Sequence, residues 1–135
     1  MPLVVGARKR LELLRTQPRH KENLWKVASA LQKGLKEAGF NIGRTNTAVT
    51  PVFLEGTLAE ATNITFDMRE NYNVFCSIVV YPVVPKDVIM LRLIPTAVHT
   101  LEDVAYTIET FKKVQEGLKA GNYKAEDLAK VDTDQ

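Results

Sequence analysis

Arg92 is the residue whose type conflicts most with its surroundings, because it sits inside the apolar run VIMLRLIP, residues 88–95. A guanidinium stays protonated at any ordinary pH, so burying one demands an anionic partner. Three arrangements meet that demand. The cation pairs with an internal carboxylate, it snorkels along its own stem to water, or its planar fork grips the carboxylate or phosphate of a ligand at two points. If the run is a strand, Leu91, Leu93 and Pro95 share one face, and Met90, Arg92 and Ile94 share the other.

The other reactive types are less organised. His99 directly precedes Thr100 at the expected start of a helix, which brings it near any ligand there but also suits a half-exposed structural histidine. His20 lies in a charged stretch, and these two histidines share no metal-ligand spacing, so no metal site is assigned. Cys76 is the single cysteine. It excludes an internal disulfide framework and a cysteine-cluster zinc site, and it fits a reducing, cytoplasmic setting. Ser77 lacks the G-x-S-x-G setting of an esterase nucleophile. The chain has neither a glycine-rich phosphate loop nor a paired-carboxylate constellation. No catalytic residue is therefore assigned. In YPVVPKD, residues 81–87, two prolines stiffen a link from which Lys86 points outward. That link reads as an ordinary connection between strands or as one wall of a site beside Arg92.

The elements that position these residues follow from periodicity. Pro2 suits a first helical turn, Leu3, Ala7, Leu11 and Leu14 recur at helical spacing, and Pro18 breaks the run. A second helix carries Leu24, Ala28, Leu31, Leu35 and Ala38 and stops at Gly39. TPVFLEG reads as a short strand. Thr57 with Glu60 forms a capping box that opens a helix through Met68, closed near Asn71 and Asn73. VFCSIVVYP reads as a buried strand and VIMLRLIP as the next, joined by so short a link that they pair antiparallel. Thr100 with Asp103 is a second capping box, opening a helix with Leu101, Val104, Ile108, Phe111, Val114 and Leu118 on one side, stopped by Gly121. The expected fold is α+β: an N-terminal helical arm over 1–40, a β-α-β-β-α unit with a small, mostly antiparallel sheet over 41–121, and a polar tail over 122–135.

The totals agree. A chain of 135 residues with 45% hydrophobic and 25% charged residues suits one globular domain. No apolar run approaches the roughly 20 residues of a membrane span. The opening MPLVVGARKR places its charges after the apolar stretch, the reverse of an export signal. Net charge is +2, yet residues 1–44 carry ten Lys/Arg against three Asp/Glu, and the remainder carries eight against thirteen. A basic patch of Arg8, Lys9, Arg10, Arg15, Arg19 and Lys21 reads as a solvated helix face, and no nucleic-acid partner is expected because the few aromatics do not cluster beside it.

Together, TPVFLEG, SIVVYPVVPK, LRLIPTAVHTLEDV and the last helix resemble the C-terminal part of the α-oxoamine synthases. That family has the aspartate-aminotransferase fold, depends on pyridoxal phosphate, and includes serine palmitoyltransferase, glycine C-acetyltransferase and amino-oxononanoate synthase. The resemblance runs from about Pro2 to Gly121 and is most specific from Ser77 to Thr100, where Tyr-Pro-x-x-Pro, Leu-Arg-Leu and Ala-x-His-Thr follow in order.

The resemblance implies an acyltransferase that condenses glycine, serine or alanine with an acyl-CoA and releases CoA and carbon dioxide. It implies that Arg92 holds the amino-acid carboxylate and that Tyr81, Pro82, Val83, Val84 and Pro85 form a substrate-entrance loop. The family's Schiff-base lysine and its other cofactor contacts belong to a preceding large domain, and neither Lys26 nor Lys86 stands in the required context. The chain is accordingly expected to be a C-terminal domain fragment, with Met1 an internal methionine or an added start. It is expected to lack its N-terminal large domain, to bind no cofactor and to be inactive alone, from a cytoplasmic homodimeric parent. Leu3, Val4, Leu11 or Trp25 are then expected to be left unburied. The competing reading is a stand-alone module that binds a small carboxylate at Arg92 without catalysis.

Overall fold

The computed structural model describes residues 2–124. Four helices and three strands follow the expected order: α1 (Pro2–Thr16), α2 (Arg19–Glu37), β1 (Thr50–Glu55), α3 (Leu58–Glu70), β2 (Ser77–Val79), β3 (Val88–Leu93) and α4 (Leu101–Ala120). The sheet order is β1-β3-β2, and β3 pairs antiparallel with both neighbours. The chain therefore leaves β1 through α3, places β2 on the far edge, and returns to fill the middle with β3.

Local chemistry sets the helix ends. The Thr57 hydroxyl accepts from the Glu60 N–H at 3.3 Å while the Glu60 carboxylate accepts from the Thr57 N–H at 2.8 Å. Thr100 and Asp103 repeat the exchange at 3.1 and 2.7 Å. Each box satisfies amides that a helix start leaves unpaired. At the other ends, Gly39 and Gly121 adopt the left-handed φ values of 84° and 82° that release a chain from a helix, a conformation costly for residues with a Cβ.

The core lies between one sheet face and the helices. Val52, Ile89 and Leu91 from the strands meet Leu35 of α2, Ala61, Ile64 and Met68 of α3, and Phe111 and Val114 of α4, all fully buried. Phe40, just past α2, stands edge-on to Phe111 with ring centroids 5.8 Å apart. Tyr123 seals the far end of α4: its hydroxyl donates to Asp67 at 2.7 Å and its carbonyl accepts from Asn63 at 2.9 Å.

One segment differs from the sequence reading. VFCSIVVYP is not one buried strand: only Ser77–Val79 pairs, all three residues are half-buried, and Phe75 is exposed. β2 is an edge strand with a single partner, and Asn73 turns the chain just before it with a φ of 53°. Such non-local limits leave no mark in residue type. The first helix lies off the core, and the residues expected to be left unburied are so. α1 contains no buried residue, and Leu3, Val4, Leu11 and Trp25 are exposed, Leu3 at 88%. Residues 125–135, the greater part of the expected polar tail, lie outside the described residues.

Candidate functional site

The strands alternate cleanly, which gives the sheet two unlike faces. Thr50, Val52 and Leu54 of β1 and Ile89, Leu91 and Leu93 of β3 point into the core. Pro51, Phe53 and Glu55, with Val88, Met90 and Arg92, point the other way. The register sets Pro51 and Ser77 on either side of Arg92, and Phe53 and Val79 on either side of Met90. Arg92 thus stands in a patch of half-buried apolar side chains but is itself exposed.

No internal carboxylate among the described residues neutralises it. None of the ion pairs among the described residues includes Arg92. The nearest strand carboxylate on its face, Glu55, lies four residues further along β1 than Pro51, about 13 Å at ~3.3 Å per residue. Arg92 instead donates from Nε to the Ser77 hydroxyl at 3.0 Å. The internal ion pair considered for this residue is therefore absent among the described residues. What remains is a cation with a neutral partner and free donors, on an apolar floor: a site suited to a small anion.

The loop over Tyr81–Pro85 is separated from Arg92 by the length of β3. Val88, where the link ends, is four residues from Arg92, again about 13 Å. Tyr81, Pro82, Val83 and Pro85 are exposed, Val84 is buried, and the Tyr81–Pro82 bond is cis. Lys86 points outward, with Nζ 5.4 Å from the centre of the Tyr81 ring. The loop and Arg92 thus lie at opposite ends of β3.

The remaining sequence candidates fall elsewhere. His99 is exposed, and its Nδ1 accepts from the Thr96 N–H at 3.0 Å, an arrangement that braces the loop before α4. It borders a cavity of about 190 Å³ between α2, the end of β3 and the start of α4, lined mainly by apolar groups such as Val27, Leu31, Val74 and Pro95. Beside it, the Asp103 carboxyl is held below its ordinary value by the hydrogen bonds from the Thr100 backbone and hydroxyl. Cys76 is buried with its thiol 3.8 Å from the Met68 sulfur, and burial pushes it up to about 11, so it is a poor nucleophile. His20 hydrogen-bonds Gln17, and no metal-binding cluster of His, Cys, Asp and Glu occurs among the described residues. Ser77 is the hydrogen-bond partner of Arg92 that sequence reasoning missed. Its position opposite Arg92 depends on a register set through an eight-residue connection over 80–87, which residue types do not encode.

No family model matches the chain. It is 54% identical, over 93% of its length, to a cysteate-C-fatty acyltransferase of Capnocytophaga ochracea. It is 38% identical over 78% of its length to an 8-amino-7-oxononanoate synthase of Alkaliphilus oremlandii. The match to a serine palmitoyltransferase structure from S. paucimobilis, solved with PLP and myriocin bound, has a TM-score of 0.67 at 25% identity over 81% of this chain. The chain belongs to the α-oxoamine synthase family. It spans only about 30% of the acyltransferase, 26% of the oxononanoate synthase and 27% of the palmitoyltransferase chain. The shared fold is the small α+β unit with its antiparallel sheet, and the family is one of pyridoxal-phosphate-dependent acyltransferases.

The outer sheet face does not fit that cofactor. A phosphorylated pyridine needs a lysine for its aldehyde and donors for its phosphate. No strand contains a lysine, and the described groups around Arg92 are a serine, a proline and apolar side chains. The face's one cation among the strand residues, Arg92, is a donor suited to a small anion. No helix of the described residues is long and apolar enough to cross a membrane.

Proposed function

We propose that this chain is the carboxylate-gripping C-terminal domain of a pyridoxal-phosphate-dependent acyltransferase that joins an amino acid to a fatty acyl-CoA, releasing CoA and carbon dioxide. The observation that carries the reading is Arg92: an arginine without a carboxylate partner among the described residues, on an apolar sheet face, in a chain 54% identical to a fatty acyltransferase. The name of that relative favours cysteate as the amino acid over the glycine, serine or alanine suggested by the wider family. All four present the same carboxylate to Arg92, so the choice among them rests on other groups.

In this reading Arg92 fixes the amino acid by two parallel N–H···O bonds. A bidentate grip restrains rotation as well as distance, and so sets which bond at the α-carbon faces the reacting centre. The half-buried Phe53, Met90 and Val79 form an apolar floor that strengthens the ionic contact by lowering the local polarity. The Tyr81–Pro85 loop serves as an entrance wall, contacting the longer acyl substrate about 13 Å from the carboxylate. The large domain that carries the cofactor and its lysine lies outside this chain, with residues 1–40 as an arm toward it, residues 41–121 as the small domain and 122–135 as a tail. The complete enzyme is a cytoplasmic homodimer, and the chain alone is inactive.

The test is a hybrid enzyme in which this chain replaces the matching segment of the Capnocytophaga ochracea acyltransferase. Turnover of cysteate and a fatty acyl-CoA by the hybrid, with none by the 135-residue chain alone, is the expected result. Turnover by the isolated chain, or a hybrid that binds its cofactor and acyl-CoA yet accepts no amino acid, contradicts the reading.

A further inference from the structure

We propose that Ser77 is a positioning residue for Arg92, selecting which edge of the guanidinium meets the substrate carboxylate. The proposal rests on the carboxylate-gripping reading of Arg92 and adds the element that makes the grip directional.

A guanidinium offers two forked edges. One pairs Nε with an Nη, and the other pairs the two Nη groups. On an exposed strand position the side chain is free to present either. Here the Nε–H is engaged by the Ser77 hydroxyl at 3.0 Å. The side edge is thereby used, and the two Nη groups remain as the fork available to a carboxylate.

The backbone enforces this arrangement. Ser77 is the direct cross-strand partner of Arg92, so both side chains leave the same face of the sheet at neighbouring sites. On the other flank the partner is Pro51, whose side chain has no polar atom to compete. Along β3 the neighbours on that face, Met90 and Ile94, are apolar. Ser77 is thus the one side chain among the described residues that hydrogen-bonds Arg92. A serine suits the task because its hydroxyl accepts a hydrogen bond without neutralising the cation. An acidic residue at the same place would form an internal ion pair and occupy the site.

The test is a double-mutant cycle in the hybrid enzyme, read as separate KM values for amino acid and acyl-CoA. Ser77→Ala is expected to raise the amino-acid KM about fivefold, the effect of one lost hydrogen bond, and to leave the acyl-CoA KM unchanged. Ser77→Thr, which keeps the hydroxyl, restores the wild-type value. In an Arg92→Ala background Ser77→Ala has no further effect, because nothing is left to position. A second readout needs no turnover: in the 15N-labelled protein the Arg92 Nε–H exchanges with water faster in Ser77→Ala than in wild type or Ser77→Thr. The proposal is overturned if Ser77→Ala leaves the amino-acid KM and the Nε–H exchange unchanged, or if it raises KM equally with and without Arg92. An amino-acid KM untouched by Arg92→Ala alone overturns the carboxylate reading itself, a result distinct from a failure confined to Ser77.

Discussion

The two faces of the sheet are made by alternate residues of the same strands, yet they do opposite things. On the inner face Val52, Ile89 and Leu91 are fully buried against three helices. On the outer face their immediate neighbours Phe53, Met90 and Arg92 are half-buried or exposed, and Arg92, on the central strand, is a cation. The inner face stabilises the fold through apolar burial and close packing. The outer face is less buried and presents a guanidinium without a carboxylate partner among the described residues. On the proposed reading, a small domain separates folding from ligand recognition by one peptide unit of strand.

The separation is testable from both sides. Its largest effect is expected inside. Phe111→Ala removes the ring at the centre of the core and should destabilise the protein by about 3–5 kcal/mol, read as a lower urea midpoint. A smaller effect follows from Cys76, which points inward beside outward-facing Ser77. Its folded value of about 11 exceeds the ordinary 9.0, so above pH 9 the unfolded chain releases a proton that the folded chain still holds. Unfolding is therefore favoured as pH rises from 9 toward 11, by roughly 2 kcal/mol. Cys76→Ala should flatten this part of the profile, although Tyr123, also raised, mainly by burial, continues the trend at higher pH. The smallest effect belongs outside. Arg92→Gln, which removes an exposed cation and its bond to the Ser77 hydroxyl, should change the unfolding free energy by no more than about 1 kcal/mol. A large loss of stability in that variant would erase the distinction between the faces.

How much of this was legible in the sequence depends on the range of the interaction. Both capping boxes were readable because each needs only residues three apart. The face of Arg92 was readable because strand alternation is local, and the relation of Leu91 and Leu93 to the core came with it. The extent of β2 was not, because an edge strand is defined by the neighbour it lacks. The exposure of the opening helix was expected from the family resemblance and not from spacing: Leu3, Ala7, Leu11 and Leu14 have helical spacing, which by itself does not reveal whether a partner covers them, and α1 has no buried residue. The Ser77–Arg92 contact was hidden for the related reason that register across a long connection is a property of the folded sheet. Arg92 itself stood out because a permanent charge in an apolar strand is rare.

The most direct measurement is the amino-acid KM of Arg92→Ala in the hybrid enzyme, set beside its acyl-CoA KM. Loss of a two-point, charge-assisted contact predicts an amino-acid KM raised about a hundredfold or more, with the acyl-CoA KM near wild type. An unchanged amino-acid KM, or equal losses for both substrates, would contradict the assignment of the outer sheet face as a carboxylate grip.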